Sequence, residues 1–257
     1  MVEALPTDLS QDWIEIMSRR FKIEIGQDRQ HAFYNAVLNY AASISETPSR
    51  LLFRATHRQL TSDHWAQIVH LATNHETRFY RYRPVIDLIC NLSKEVARPR
   101  ILSVGCSTGE EPYSFAVELL QQGFTNFQIH GTDVSPPCIA TAQGGVYRAS
   151  EHIPDRYAMR PGNGLMRFYG WIKDLVSFEQ HNVLSERPID FYSPTTVVTQ
   201  NMLIYYSRET RHQILDRLSY LIPEGGHLIT GPAEDAQWAS AEFQRLPIAT
   251  ASVFVRK

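Results

Sequence analysis

The chain has 257 residues, of which 43% are hydrophobic, and a formal net charge of −2 at pH 7. These values are typical of a globular protein with one large or two modest domains, and they argue against a nucleic-acid-binding function. Three cysteines without metal-ligand spacing, an N-terminus without a signal core and the lack of a long apolar run predict a cytoplasmic protein without metal, disulfide or membrane span.

The N-terminal third of the chain predicts helices. Apolar residues recur at helical spacing after Asp8, which can cap a first helix, and again from about Asp28. A short piece around residues 51 to 53 follows, and Ser62 can cap a further helix. These segments indicate a small all-helical domain.

Residues 77 to 84, Thr-Arg-Phe-Tyr-Arg-Tyr-Arg-Pro, place three arginines among three aromatic side chains. A helical pattern resumes at residues 85 to 92. The segment can be an amphipathic linker whose arginines are solvated. It can also fold over a neighbouring pocket and offer an arginine to a ligand carboxylate.

Residues 101 to 111, Ile-Leu-Ser-Val-Gly-Cys-Ser-Thr-Gly-Glu-Glu, combine a short apolar strand with a turn of small residues. Pro112 then occupies a favoured position in the first turn of a helix. A strand, a glycine turn and a helix in this order predict a pocket of the nucleotide-binding type.

Glu110 and Glu111 lie at the start of that helix, where a phosphate would need bare N–H groups and positive potential. Carboxylates there would suit a cationic ligand such as S-adenosylmethionine (SAM), which carries an ammonium and a sulfonium. They can equally serve only to complement the helix dipole, and this stretch alone favours neither explanation.

The rest of the chain alternates strands and helices, which predicts an α/β fold with a doubly wound sheet. Asp133 ends the second strand, the position from which such folds bind ribose hydroxyls. We expect the ligand at the carboxyl ends of the strands, near Gly105, Asp133, Asn182 and Asn201. Further strands are predicted just before Asn182, at 196 to 199, at 227 to 230 and, as a closing antiparallel strand, at 251 to 255.

Residues 146 to 180 interrupt this alternation. The turn sequence Arg-Pro-Gly-Asn-Gly at 160 to 164 predicts an inserted antiparallel β subdomain. The predicted organisation is therefore a helical domain with a linker at residues 1 to 92, and a second domain at residues 93 to 257 that contains the insertion.

Residues 106 to 114, Cys-Ser-Thr-Gly-Glu-Glu-Pro-Tyr-Ser, resemble the signature of the CheR-type chemotaxis-receptor glutamate O-methyltransferases. Three further motifs of that family have counterparts here, at residues 77 to 81, 145 to 148 and 201 to 206. The resemblance covers nearly the whole chain. It implies a Rossmann-like, SAM-dependent methyltransferase fold with an N-terminal helical domain.

The resemblance also implies which residues hold SAM and its product S-adenosylhomocysteine (SAH). Position by position, it assigns the methionine end to Thr77, Arg81 and Glu110, the ribose to Asp133, the adenine to Asn182 and Val183, and the surface under the ligand to Gln200 and Asn201. Gly105, Cys106 and His75 complete the implied cofactor-binding set. Tyr205 matches a tyrosine near the methyl group, where a packing role is the alternative to a catalytic one.

The implied reaction methylates glutamate side chains on the cytoplasmic helical domain of a chemoreceptor and so tunes signalling adaptation. A glutamate carboxylate is already ionised at neutral pH, since its ordinary pKa is about 4.3. No base is therefore required, and the enzyme has only to align the reactants and exclude water. We expect the protein to act as a monomer that neither inserts into the membrane nor binds nucleic acid.

Three departures from the family pattern stand out. His75 replaces an asparagine, Gln200 replaces an arginine, and the predicted second helix lacks arginines at residues 33 to 42. The missing basic face predicts a divergent receptor, such as that of a pilus or another non-flagellar chemosensory array. The changes at His75 and Gln200 leave a second hypothesis open, a SAM-binding regulatory or scaffold module with weakened catalysis.

Overall fold

The computed structural model describes residues 9 to 257, so the predicted cap at Asp8 lies outside the described residues. The chain forms two compact units, residues 9 to 74 with 205 to 207, and residues 75 to 204 with 208 to 257. The sequence pattern predicts a boundary after residue 92, whereas these units divide after Asn74. Segment 75 to 92 joins the second unit because its apolar side chains, such as Phe79 and Ile89, are part of that unit's buried core.

The first unit is helical. Its helix α3 is a full helix where the sequence suggested a short piece, because Thr47 Oγ1 accepts the Arg50 N–H at 3.2 Å and Pro48 lies in the first turn. Thr61, one residue before the predicted Ser62, caps helix α4. The helices are α1 (Ser10–Phe21), α2 (Gln27–Ser43), α3 (Pro48–Thr56) and α4 (Ser62–Ala72).

The second unit contains a seven-stranded sheet with the strand order β6-β2-β1-β7-β8-β10-β9. Strands β6, β2, β1, β7 and β8 are parallel, and β10 is antiparallel to β8 and β9, so the predicted doubly wound sheet with a closing antiparallel strand is confirmed. Its strands are β1 (Arg100–Val104), β2 (Gln128–Asp133), β6 (Val176–Gln180), β7 (Thr196–Thr199), β8 (His227–Thr230), β9 (Phe243–Leu246) and β10 (Ser252–Arg256). The helices of this unit are α5 (Arg83–Ser93), α6 (Glu110–Gln121), α7 (Pro136–Gly144), α8 (Gly170–Lys173) and α9 (Arg208–Ser219).

The predicted insertion contains a second, three-stranded antiparallel sheet in the order β3-β5-β4, but it is shorter than the predicted residues 146 to 180, because Val176–Gln180 form β6 of the main sheet. It comprises β3 (Val146–Arg148), β4 (Ala158–Gly162) and β5 (Leu165–Phe168). Tyr113 of α6 stacks on Phe168 with ring centroids 4.2 Å apart, and the Tyr147 hydroxyl donates to the Thr108 carbonyl at 2.7 Å. The small sheet is therefore packed directly against the glycine turn.

Among residues 9 to 257, none of the helices has both the length and the apolar character needed to cross a bilayer.

Candidate functional site

The carboxyl ends of the parallel strands bring the predicted ligand-binding residues together. Strand β1 pairs with β2 on one side and with β7 on the other, and β7 pairs with β8. Because parallel strands end at the same edge of a sheet, Gly105 after β1, Asp133 at the end of β2 and Gln200 after β7 lie along one edge. This is the edge at which open α/β sheets bind ligands.

Neighbouring atoms lie very close to the backbone of the turn after β1. Gly105 has φ +77°, and a Cβ atom there would lie 2.7 Å from Cβ of Met202. The N–H groups of Gly105 and Cys106 both donate to the Thr132 carbonyl, at 2.8 and 3.0 Å. The turn is thus fixed to strand β2 and leaves room only for a glycine at its first position.

Asp133 joins that turn to the following helix. Its carboxylate accepts the N–H of Ser107 and the N–H of Ser135, both at 2.9 Å, and the residue is 8% exposed. Burial raises the pKa of the Asp133 carboxyl, and the two N–H groups oppose that shift. A carboxylate offers about four lone-pair directions, so Asp133 keeps acceptor capacity beside these N–H groups, and its contact with ribose hydroxyls stays a prediction.

The two glutamates at the start of α6 have different partners. Glu110 accepts a hydrogen bond from the Thr108 hydroxyl at 2.6 Å. Glu111 accepts from the Ser103 hydroxyl at 2.8 Å and from the Gln200 amide at 2.7 Å. Burial raises the pKa of both carboxyls. Glu111 bonds to Ser103 of β1 and to Gln200 of the turn after β7. It therefore links these two strands near their carboxyl ends, in addition to complementing the helix dipole.

Gln200 and Glu234 provide buried acceptors at this edge. Gln200 is 8% exposed, and its Oε1 has no hydrogen-bond partner among the described residues. The adjoining Asn201 has φ +58°, and its N–H donates to Oε1 of Glu234 at 2.7 Å. The sequence pattern did not single out Glu234, because it lies four residues after the end of β8, whereas Asp133 is the last residue of β2.

Segment 75 to 81 lies beside the glycine turn. The Ser107 hydroxyl donates to the His75 carbonyl at 2.9 Å. The Arg81 guanidinium donates to the Glu76 carbonyl at 2.7 Å, and its charge lowers the pKa of Glu111 and of Glu234 against the larger effect of burial. Thr77 lies between His75 and Arg81 in the sequence, and its side chain is half-buried. The structure therefore places residues 75 to 81 beside the glycine turn, and the contact of an arginine with a ligand carboxylate stays a prediction.

Asn182 and Val183 follow β6 at the far end of the same edge. Asn182 Oδ1 accepts the Leu184 N–H at 2.9 Å, which makes Asn182 a turn residue, and its amide NH₂ is a further donor. Val183 lines a cavity of about 370 Å³. An adenine contact at these two positions stays a prediction.

Tyr205 belongs to the first unit. Its hydroxyl accepts the Asn74 N–H at 2.9 Å and donates to the Asn74 carbonyl at 3.3 Å, and the Arg29 guanidinium lies 5.7 Å from its ring centroid. These contacts give Tyr205 a structural role in the helical unit. Its predicted role near the methyl group stays a prediction.

The donor set fits SAM. The orphaned Gln200 Oε1 and the carboxylates of Glu111 and Glu234 are acceptors, which suit a ligand that carries an ammonium and a sulfonium. Gly105 supplies the space in which a ligand can approach the backbone. A phosphate ligand would instead meet three carboxylates, counting Glu110, close to the helix start.

Known proteins are similar to this chain over much of its length. The family model "CheR methyltransferase, SAM binding domain" matches residues 74 to 251. A relative named "Probable biofilm formation methyltransferase WspC", from Pseudomonas putida, is 32% identical over 221 residues, which cover 77% of this chain and 50% of the relative. The "Chemotaxis protein methyltransferase" of Escherichia coli is 24% identical over 239 residues, which cover 86% of this chain and 82% of the relative.

Solved structures of methyltransferases are also similar, at lower identity. Magnesium protoporphyrin IX methyltransferase from Synechocystis, with bound SAM, is 16% identical, with a TM-score of 0.40 over 68% of this chain and 80% of that chain. This chain spans about half the length of the Pseudomonas putida relative. The family model covers the glycine turn, Asp133 and the Gln200 turn, and it confirms the resemblance seen in the sequence. The chain belongs to the CheR methyltransferase family and carries its SAM binding domain.

Proposed function

We propose that this protein transfers a methyl group from SAM to glutamate side chains of a chemoreceptor, acting as a cytoplasmic monomer. The observation that carries the proposal is the strand edge, where Asp133 fixes the glycine turn and Gln200 links Glu111 to the end of β7. The names of the Pseudomonas and Escherichia coli relatives, a biofilm formation methyltransferase and a chemotaxis protein methyltransferase, support the reaction class.

In this mechanism the protein binds and aligns, and it moves no proton. Bound SAM supplies a methyl group on a positively charged sulfur, open to in-line attack. Asp133 would orient the ribose, Asn182 and Val183 would flank the adenine, and Gln200 and Asn201 would lie under the ligand. The methionine end would be held by Thr77, Arg81 and Glu110. The acceptor carboxylate arrives ionised, so the Tyr205 hydroxyl can remain bonded to Asn74 during the reaction.

Two measurements test this proposal together. Calorimetric titration with SAM and SAH measures binding, and transfer of a labelled methyl group into co-purified receptor measures activity, with base-labile esters located by mass spectrometry. We expect binding of both ligands and labelled glutamates in the receptor's helical domain. If neither ligand binds, the proposal is wrong.

A regulatory module that binds SAM without transferring it is the second candidate. The neutral Gln200 favours it, because no guanidinium stands beside Glu111 at that position. This candidate predicts normal titration with SAM and SAH but no label in any co-purified protein. Restoring a cation with Gln200→Arg would then raise transfer from the background.

The helical unit offers a surface for the acidic helices of a receptor. Residues 47 to 62 contain no Asp or Glu, and Arg50, His57 and Arg58 are exposed there. Phe53 is 54% exposed and stacks on His57 with centroids 3.9 Å apart. Within α3 only Arg54 is neutralised, by an ion pair with Glu46. We propose that these exposed residues, Arg50, Phe53, His57 and Arg58, contact the receptor in place of α2. We call this surface the α3 face.

Charge reversal tests the α3 face. In the double variant Arg50→Glu/Arg58→Glu, we expect kcat/KM for receptor methylation to fall about tenfold or more, because like charges across an interface repel. SAM affinity should not change. Arg19→Glu on α1 is the matched control, because Arg19 is 81% exposed and already pairs with Glu15. Equal losses in both variants would contradict an α3-specific contact.

A further inference from the structure

A cavity lies beside the end of helix α9, between residues 181 to 189 and residues 217 to 221. The chain from β6 to β7 contains no helix there, whereas helices α6, α7 and α9 follow strands β1, β2 and β7. The cavity has a volume of about 370 Å³, which is within the range of small-molecule sites. Of the cofactor-binding residues that the family resemblance implies, only Val183 lines it.

Much of the cavity wall is apolar. Leu218 is 1% exposed and Ile189 is 5% exposed, and Pro188 and Leu221 extend the same wall. Tyr220, directly after α9, also lines the cavity and is 77% exposed. Aromatic and aliphatic surface of this kind favours a ligand with a flat apolar body, since both partners lose contact with water.

His181 brings an unused donor to the cavity. The residue is 6% exposed, and its Nδ1 lies 3.3 Å from Nη2 of Arg187. Because a guanidinium can only donate, Nδ1 accepts, and the neutral ring carries its proton on Nε2. Burial lowers the pKa of His181, which keeps the ring neutral at pH 7. Nε2 has no hydrogen-bond partner among the described residues, so its N–H group is available to an acceptor on a ligand.

Arg217 supplies a cation to the same cavity. Its Nη1 donates to the Ser185 carbonyl at 2.8 Å, and it forms no ion pair in the part of the chain that the structure describes. Arg187 is instead paired with Glu179. Glu186 also lines the cavity, but it is exposed and pairs with neither arginine among residues 9 to 257. The remaining N–H groups of Arg217 can therefore bind an anionic group.

We propose that this cavity binds a small organic anion, a flat ring that carries a phosphate or a carboxylate group. The ring packs against Tyr220 and the apolar wall, and Arg217 binds the anionic group. Nε2 of His181 donates to an oxygen or nitrogen acceptor of the ligand. A nucleoside monophosphate and an aromatic carboxylate both have this chemistry. The inference does not depend on the proposed methyl transfer.

Calorimetric titration of the SAH-saturated protein with adenosine monophosphate (AMP) and with benzoate tests the proposal, because SAH keeps the cofactor site filled. We expect AMP, benzoate or both to bind. Adenosine and benzamide, which lack the anionic group, should bind at least about tenfold more weakly than the corresponding anion. Binding of AMP alone would identify the phosphate class, and binding of benzoate alone the carboxylate class.

Arg217→Gln should lower the association constant of the anion about tenfold, because the amide can still donate to the Ser185 carbonyl but carries no charge. Arg208→Gln is the matched control. Arg208 lies on the same helix and is exposed, but it does not line the cavity, and it donates to Gln237 at 3.3 Å. This control should bind the anion as tightly as the parent.

The ring nitrogens of His181 give a second readout. NMR spectra of the labelled histidine nitrogens should show Nε2 protonated and Nδ1 unprotonated at pH 7, and the Nε2 signal should shift when the anion binds. His181→Gln assigns the signal. Arg217→Gln should keep the tautomer and show a smaller shift at the same anion concentration.

Four results would overturn the anion site: no binding of either anion, displacement of SAH by the anion, equal anion affinity of Arg217→Gln and parent, or equal losses in Arg217→Gln and Arg208→Gln. Displacement counts because the anion would then occupy the cofactor site itself. A parent that does not bind SAH would contradict the proposed function instead. Titration of the ligand-free parent, Arg217→Gln and Arg208→Gln with AMP and benzoate would then decide the anion site separately.

Discussion

Asp133→Ala is expected to lower the affinity for both SAM and SAH by at least about a hundredfold. The substitution removes the acceptor proposed for the ribose, and hydrogen bonds to a charged group are worth about 1.5–3 kcal/mol each. It also frees the N–H groups of Ser107 and Ser135, which Asp133 holds at 2.9 Å. The glycine turn keeps the bonds of Gly105 and Cys106 to the Thr132 carbonyl but loses its contact at Ser107, so pocket shape and ligand contact are both weakened.

Asp133→Asn separates these two effects. The amide oxygen can keep one N–H contact, so the fold should be retained while ribose binding weakens. Asp155→Ala is the control, because Asp155 is 79% exposed and pairs with Arg160 outside the strand edge. Calorimetry reports affinity, and thermal unfolding reports whether each variant is folded. A folded Asp133→Ala variant that binds SAM as tightly as the parent would remove Asp133 from the site.

The parts of the fold that the sequence predicted well depend on neighbours along the chain. Strand β1, the turn at Gly105 and helix α6 follow one another within some twenty residues, so periodicity and small residues were sufficient to place them. The same holds for the turn at residues 162 to 164 between β4 and β5. Ends of elements were less accurate, as the cap at Thr61 instead of Ser62 illustrates.

The parts that the sequence did not reveal depend on contacts between distant residues. Glu234 matters because β8 lies beside β7 in the sheet and brings its carboxylate to the N–H of Asn201, 33 residues away. Tyr205 follows a strand of the second unit but bonds to Asn74 in the first, 131 residues away. Neither contact leaves a periodic signal, since only the folded topology sets such distances.

Gly105→Ala is expected to abolish measurable SAM binding and to lower the free energy of unfolding by about 1–3 kcal/mol. At φ +77° an alanine is strained, and its Cβ would lie 2.7 Å from both Cβ and Cγ of Met202. Met202 Cβ is attached to the backbone of the turn after β7, so it cannot swing aside as the end of a side chain could. Relief of the contact has to move either the glycine turn or the turn that carries Gln200 and Asn201, and both hold the ligand.

Gly123→Ala separates backbone strain from the closing of the pocket. Gly123 has φ +89°, yet a Cβ atom there would meet nothing within 4 Å. Gly123→Ala should therefore lower the free energy of unfolding by about the same amount, because of conformational strain, and it should bind SAM as tightly as the parent. Thermal unfolding gives the stability of each variant, and calorimetry gives its SAM affinity. Of these four values, we expect only the SAM affinity of Gly105→Ala to be lost. Parallel behaviour of the two variants would mean that the approach of Met202 to the glycine turn does not shape the ligand site.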